Sequence, residues 1–121
     1  MRVFAEETWG IYKEDVIGSA ADYEYIEGRI VRQDRMLGGL ALGPGKPAHI
    51  YAHTGRLPLF AGGNADVDID MLESATFALL INHDDQHREY AYTDGAKQSL
   101  AGANEMGWTV VNIKDDWSTV F

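Results

Sequence analysis

Apolar residues in this chain fall into short runs separated by glycine and polar clusters, and the spacing of the runs changes along the sequence. Met1, Phe4, Ala5 and Trp9 recur at helical spacing, which predicts a short N-terminal helix with one core face. Val16-Ile17-Gly18-Ser19 predicts a short strand. Tyr23-Glu24-Tyr25-Ile26 and Arg29-Ile30-Val31-Arg32 flank Glu27-Gly28 and predict a β-hairpin. The glycines from Gly38-Gly39 to Gly45 lack the spacing of a phosphate-binding loop and read as a turn. Pro47 suits the first turn of a helix running to about His53, and Gly55 would cap its end. Leu57–Ala61 predicts a buried strand, followed by an acidic loop and a helix ending near Ser74. Thr76–Asn82 is continuously apolar, as expected of a parallel strand buried on both faces. Ala96, Leu100 and Ala103 give one face of another helix, stopped by Gly107, and Trp108–Ile113 predicts a third core strand. Alternating strands and helices argue an α/β fold with a partly parallel sheet. There are no internal repeats and no low-complexity segment.

Composition narrows this picture. A chain of 121 residues predicts one domain, and 45% hydrophobic residues argue against disorder. A net charge of −9 argues against nucleic acid and anionic membranes as partners. It suits either a cation-binding acidic face or an ordinary solvated surface. With no cysteine, thiol catalysis, zinc–thiolate sites and disulfides are excluded. The absence of a signal peptide and of a long apolar run predicts a cytoplasmic protein as written.

The chemistry concentrates in Gly63-Asn64-Ala65-Asp66-Val67-Asp68-Ile69-Asp70-Met71-Leu72, an acidic loop between a strand and a helix. Such loops lie at the carboxyl ends of strands, where α/β proteins place functional groups. Asp66, Asp68 and Asp70 repel one another, and a divalent cation or helix N-terminal amides would relieve that repulsion. An N-capped helix with a solvated acidic first turn is the plainer reading. Upstream, Gly43-Pro44-Gly45-Lys46-Pro47-Ala48-His49-Ile50 places Lys46 in a helix first turn, where the helix dipole slightly disfavours a cation.

In this order the two segments resemble the last motifs of the haloacid dehalogenase (HAD) superfamily. The segments Ile81–Tyr92 and Gly107–Phe121 are similar to the closing segments of its bacterial nonspecific acid phosphatases and phosphoserine-phosphatase-like members, and even Met1–Ile11 resembles an internal helix of those proteins. The resemblance implies a partial Rossmann-like HAD core of parallel strands, helices and a β-hairpin. It implies Lys46 as the catalytic residue that neutralises a substrate phosphate, and Asn64, Asp68 and Asp66 as ligands of Mg²⁺. The partner it implies is a phosphorylated small molecule. Full-length relatives are often exported.

The resemblance covers only the second half of the family pattern. Those phosphatases attack phosphorus with the first Asp of an Asp-x-Asp-Gly-Thr segment. None occurs here, since Asp68-Ile69-Asp70 runs on into Met71-Leu72. Phosphoryl transfer needs a positioned nucleophile, an acid/base group and a cation clamp. The chain is therefore expected to be a single truncated domain, 1–121, lacking the N-terminal nucleophile strand and inactive alone, from a truncated gene, an internal start or a cut-down version. The alternative is a non-catalytic binding or assembly protein derived from the same fold. Loss of that strand and of the one that bears the family's phosphate-binding Ser or Thr would separate Val16–Ser19 from the sheet and leave Leu57–Ala61 as an unpaired apolar edge. This predicts a homodimer or a domain-swapped oligomer.

His83-Asp84-Asp85-Gln86-His87 follows a predicted strand end. Two histidines and two carboxylates could ligate zinc or nickel, but no glutamate base is placed as in a zinc-protease helix. His83, Asp84 and Asp85 are assigned a structural or substrate-side role. His49 and His53, on one helical face near Lys46, read as surface or packing residues.

Overall fold

The continuous and the alternating apolar runs fold into two separate sheets. The structure, a computed structural model, describes residues 1–120. In chain order its elements are α1 (Ala5–Trp9), β1 (Ala21–Ile26), β2 (Arg29–Met36), α2 (Gly45–Thr54), β3 (Phe60–Gly63), α3 (Ile69–Ser74), β4 (Phe77–Asn82), α4 (Lys97–Gly102), β5 (Thr109–Asn112) and α5 (Ile113–Asp116). Single 3₁₀ turns at Asp66–Asp68 and Asp94–Ala96 lead into α3 and α4. The fold is mixed α/β: a parallel sheet in the order β3-β4-β5 beside the antiparallel hairpin β1-β2.

The parallel sheet explains the core. Ala61 pairs with Ala78, and Leu80 with Val110, so these side chains share one face. Leu72 from α3, Ala75 just after it, Leu100 from α4, Ala103 and Trp108 close over that face. Leu72 and Leu80 are fully buried. Ala96 and Ala103, predicted to face inward, do so, and Gly107 at φ 69° ends the helical segment.

Four expectations are corrected. Thr76–Asn82 was expected to be buried on both faces, but only the Ala78 and Leu80 face of β4 is fully buried; on the other, Leu79 and Ile81 are partly covered and Phe77 is half exposed. Leu57–Ala61 is not a buried strand. The strand is shifted to Phe60–Gly63, and Leu57, Leu59 and Phe60 are exposed because β3 is the sheet's edge and carries cover on one side. Val16–Ser19 forms no strand. It is irregular chain whose Val16 carbonyl accepts from the Arg2 guanidinium at 2.9 Å and whose Ser19 hydroxyl accepts from the Ala41 amide at 2.8 Å. The first helix buries Ala5 alone, leaving Met1, Phe4 and Trp9 exposed, so its apolar face is not a core face here.

The hairpin is longer than predicted. Its turn, Glu27-Gly28, has positive φ at both residues (47° and 79°), the geometry that matches strand twist in two-residue loops. Arg35 bridges Asp22 at 2.6 Å and Glu24 at 3.1 Å along one face. Most of its residues are exposed, Tyr23, Tyr25, Ile26 and Ile30 among them.

Candidate functional site

Lys46 lies in the first turn of α2, behind Pro44. Asp68 lies in the 3₁₀ turn that follows β3, almost fully buried. The two are 22 residues apart in sequence, and the fold brings the Lys46 ammonium against Asp68 Oδ1 as an ion pair. The other carboxylate oxygen, Oδ2, accepts from the backbone amides of Asn64 at 3.0 Å and Ala65 at 3.2 Å. A buried carboxylate is tolerable when its charge is paired and its lone pairs are filled, and Asp68 meets both conditions.

Two glycines make this approach possible. A Cβ on Gly63 would stand 2.7 Å from Asp68 Cβ, so the carboxylate packs directly on bare backbone at the end of β3. A Cβ on Gly45 would stand 1.9 Å from the Leu40 carbonyl, so the turn can close tightly enough to deliver Lys46. The Gly43 amide donates to the Val67 carbonyl at 3.2 Å and ties the glycine-rich turn to the acidic loop. The turn reading of Gly38–Gly45 therefore holds, with a positioning role added.

Lys46 also lines a cavity of about 270 Å³ formed with Ile17, Ser19, Ala41, His49, Ile50 and Met71. Its lining is mostly apolar, with Lys46, Ser19 and His49 as the polar residues; the His49 Nε2 lies 3.2 Å from the Gly39 carbonyl oxygen. Such a cavity has one positive charge against an apolar wall, a setting that favours an anionic group.

The remaining predicted residues are distributed differently. Asp66 turns away from Asp68. Its Oδ1 accepts from the amides of Gln98 at 3.0 Å and Ser99 at 2.9 Å and from the Ser99 hydroxyl at 3.1 Å, so it caps the first turn of α4 from 32 residues away. Asn64 contributes its backbone amide to Asp68. Among the described residues no three histidine, aspartate or glutamate side chains gather as a metal-ligand set.

The loop after β4 is a brace. His83 Nδ1 lies 2.9 Å and 3.0 Å from the two carboxylate oxygens of Glu89, and the Tyr92 amide donates to the His83 carbonyl at 2.9 Å. Asp84 accepts from the Lys114 amide at 3.0 Å. Asp85 accepts from the amides of His87 at 2.9 Å and Arg88 at 3.1 Å and pairs with the Arg88 guanidinium. Arg88 then donates to the carbonyls of Trp117, Ile113 and Lys114 at 2.6–2.9 Å. The Arg88 hydrogen bond, helped by the His87 amide, holds the Asp85 carboxyl down at about 2. His83 and His87 do not share a helix, since the segment is irregular.

Sequence reasoning missed Arg88, Glu89 and the pair Asn82–Asn112. Asn82 Nδ2 donates to Asn112 Oδ1 at 2.9 Å, while Asn82 Oδ1 is buried without a hydrogen-bond partner. The signal for that pair was present: each asparagine ends an apolar run, Leu79-Leu80-Ile81-Asn82 and Val110-Val111-Asn112. Polar residues closing two neighbouring strands at the same register end up side by side.

No family model matches this chain, and neither does any curated protein. Among the described residues no helix is long and apolar enough to cross a membrane.

Proposed function

We propose that this chain carries the phosphate-binding half of a HAD-type phosphomonoesterase site, with Lys46 as the phosphate-neutralising residue. The contact between Lys46 and Asp68 carries the reading. The two residues lie in the two segments that together carry the family resemblance, and they meet at the carboxyl end of a parallel strand. An anionic phosphate entering beside Lys46 would gain a charge-assisted hydrogen bond from the ammonium. The mostly apolar wall around the lysine would strengthen that interaction by excluding water.

Mg²⁺ fits only in part. Asp68 and Asn64 offer oxygens of the right type, but Asp68 is already satisfied by a lysine and two amides, and Asp66 is engaged as a cap. Mg²⁺ held by one or two carboxylates relies on substrate phosphates and water for its remaining ligands. When bound, the ion would supply charge neutralisation for a phosphoryl group. Its affinity for the chain alone is expected to be no better than about millimolar. Micromolar Mg²⁺ affinity by calorimetry, or binding unaffected by Asp68→Ala, would contradict this assignment.

A second reading, a non-catalytic binding or assembly protein, draws on the internal satisfaction of Asp66, Asp68 and Asp85. None of these carboxylates stands free beside Lys46 to attack phosphorus. Hydrolysis of an aryl phosphate with and without Mg²⁺ separates the readings from active catalysis. No turnover is expected, together with weak binding of inorganic phosphate that disappears in Lys46→Ala. Phosphate binding that survives Lys46→Ala would remove the half-site proposal. Mg²⁺-dependent turnover lost in Lys46→Ala and Asp68→Ala would overturn the inactivity and imply attack by another carboxylate.

A further inference from the structure

Two cavities meet along α2. The first holds Lys46. The second, of about 260 Å³, adjoins it through the shared residues Ile17, Gly18 and His49, and Arg2 and His53 line its far part. Lys46, His49 and His53 follow one another at three and four residues, which places them on one face of the helix. From Lys46 to His53 the helix rises roughly 10 Å, at about 1.5 Å per residue. Arg2 comes from the N-terminal segment. Its Nε donates to the Val16 carbonyl at 2.9 Å, beside the Ile17 that both cavities share.

The lining is selective in charge. The chain has 19 acidic residues against 10 lysines and arginines, yet no acidic residue lines either cavity. Lys46 meets Asp68, and among the described residues no carboxylate pairs with Arg2, His49 or His53. Arg2 uses Nε alone for Val16, so the terminal nitrogens of its fork keep their N–H groups for a ligand. The His49 Nε2 lies 3.2 Å from the Gly39 carbonyl oxygen, and the ring so held forms part of the wall between the two cavities.

We infer that the groove along α2 takes a small molecule with an anionic group at each end: a phosphate at Lys46, and a second phosphate or carboxylate at Arg2 and His53. The inference rests on the reading of Lys46 as the phosphate-binding residue and extends it to the far end of the ligand. A guanidinium fork matches two oxygens of a phosphate or carboxylate, and an imidazole N–H can donate beside it. A phosphate with an uncharged tail leaves these donors to water. The net charge of −9 repels a doubly anionic ligand at a distance, and only a lining free of carboxylates reverses that locally.

Calorimetry on the full chain with hexyl phosphate and with hexanediol bisphosphate tests the inference. The bisphosphate should bind about tenfold more tightly, as one added charge-assisted contact requires. Lys46→Ala should weaken both ligands. Arg2→Gln combined with His53→Gln should remove the preference for the bisphosphate; the Arg2→Gln side chain keeps an N–H donor for the Val16 carbonyl. His53→Glu, at an exposed helix position, is a second route to the same result and should reduce the preference with unchanged far-ultraviolet circular dichroism. A bisphosphate that binds no more tightly than hexyl phosphate, while both depend on Lys46, overturns this inference alone. A preference that persists in His53→Glu and in the double variant also overturns it, because the second anion then lies elsewhere. Binding of both ligands that survives Lys46→Ala removes the reading on which the inference rests, and the inference with it.

Discussion

Two loops at the carboxyl ends of neighbouring parallel strands use the same device for different ends. After β3, Asp68 accepts two backbone amides and pairs with Lys46; after β4, Asp85 accepts two backbone amides and pairs with Arg88. Both aspartates are nearly buried. The difference lies in the cations. Arg88 is three residues from its aspartate and distributes its guanidinium over one carboxylate and three carbonyls, closing the loop onto α5. Lys46 comes from a distant helix, pairs with one carboxylate and also lines a cavity. A planar fork suits a fixed multi-point brace, whereas an ammonium carries three rotatable donors and can accept an incoming anion without losing its first partner. One loop is thus a clasp, and the other pairs its carboxylate with a cation that also lines a cavity.

The clasp should dominate stability. Arg88→Ala removes three hydrogen bonds from a charged donor to main-chain carbonyls, at a cost of about 2–4 kcal/mol after partial replacement by water. For a domain this size that lowers the thermal midpoint by roughly 10 °C. Arg88→Lys should not restore it, because one ammonium cannot reach all the acceptors. A midpoint within a degree or two of wild type would show that the loop after β4 is not braced by Arg88.

Gly63→Ala is the next largest effect. The added methyl would overlap Asp68 Cβ and Cγ, and the carboxylate must move off the amides of Asn64 and Ala65. Overpacking of this kind costs about 1–3 kcal/mol. It should also weaken inorganic phosphate binding, since Lys46 loses the group that orients it. Wild-type stability and phosphate affinity together in this variant would show that the close packing at the end of β3 is not needed.

Lys46→Ala divides the two loops most clearly. It should lower stability by about 1–2 kcal/mol, because Asp68 loses its counter-charge but keeps its amide partners. Phosphate binding by calorimetry should nevertheless vanish. A large stability loss, comparable to that of Arg88→Ala, would make Lys46 a second clasp.

How far these features could be read from the sequence follows from the range of the interactions involved. The hairpin, the α2 capping glycine Gly55 and the inward-facing Ala96 and Ala103 that flank α4 were all legible, because turn chemistry and periodicity are local. Gly55 indeed adopts φ 72° at the end of α2. Motif order singled out Lys46 and Asp68, but as a phosphate neutraliser and a metal ligand, and their pairing is seen only in the fold. Asp66 looked identical to Asp68 in the sequence, yet it faces α4, because alternate residues of a tight turn point in different directions and only the fold decides what they meet. Arg88 was illegible for the same reason: its acceptors are main-chain carbonyls, which any residue supplies. Continuous apolarity in Thr76–Asn82 was read as burial on both faces. The sequence contains the apolar residues of both faces, but only one of those faces is fully buried, the other being covered in part at Leu79 and Ile81 and not at Phe77.

The smallest effect is a pH dependence that should belong to one loop alone. Arg88 and the His87 amide bind the charged form of Asp85, which moves its carboxyl from an ordinary value of 3.8 to about 2. A carboxyl held low in the folded state contributes stability that is complete above its unfolded value and is lost as pH falls through its folded value. The contribution is therefore intact at neutral pH and declines between about pH 4 and pH 2. Urea titrations across that window should show wild type losing stability more steeply than Asp85→Asn, whose amide cannot titrate. Asp85→Asn should start less stable at pH 7, because a neutral acceptor binds the guanidinium more weakly. The two curves should converge toward pH 2, where the wild-type carboxyl is taking up its proton. Parallel curves over the whole range would mean that the Arg88 clasp holds its carbonyls alone, and that Asp85 contributes through its amide bonds rather than its charge.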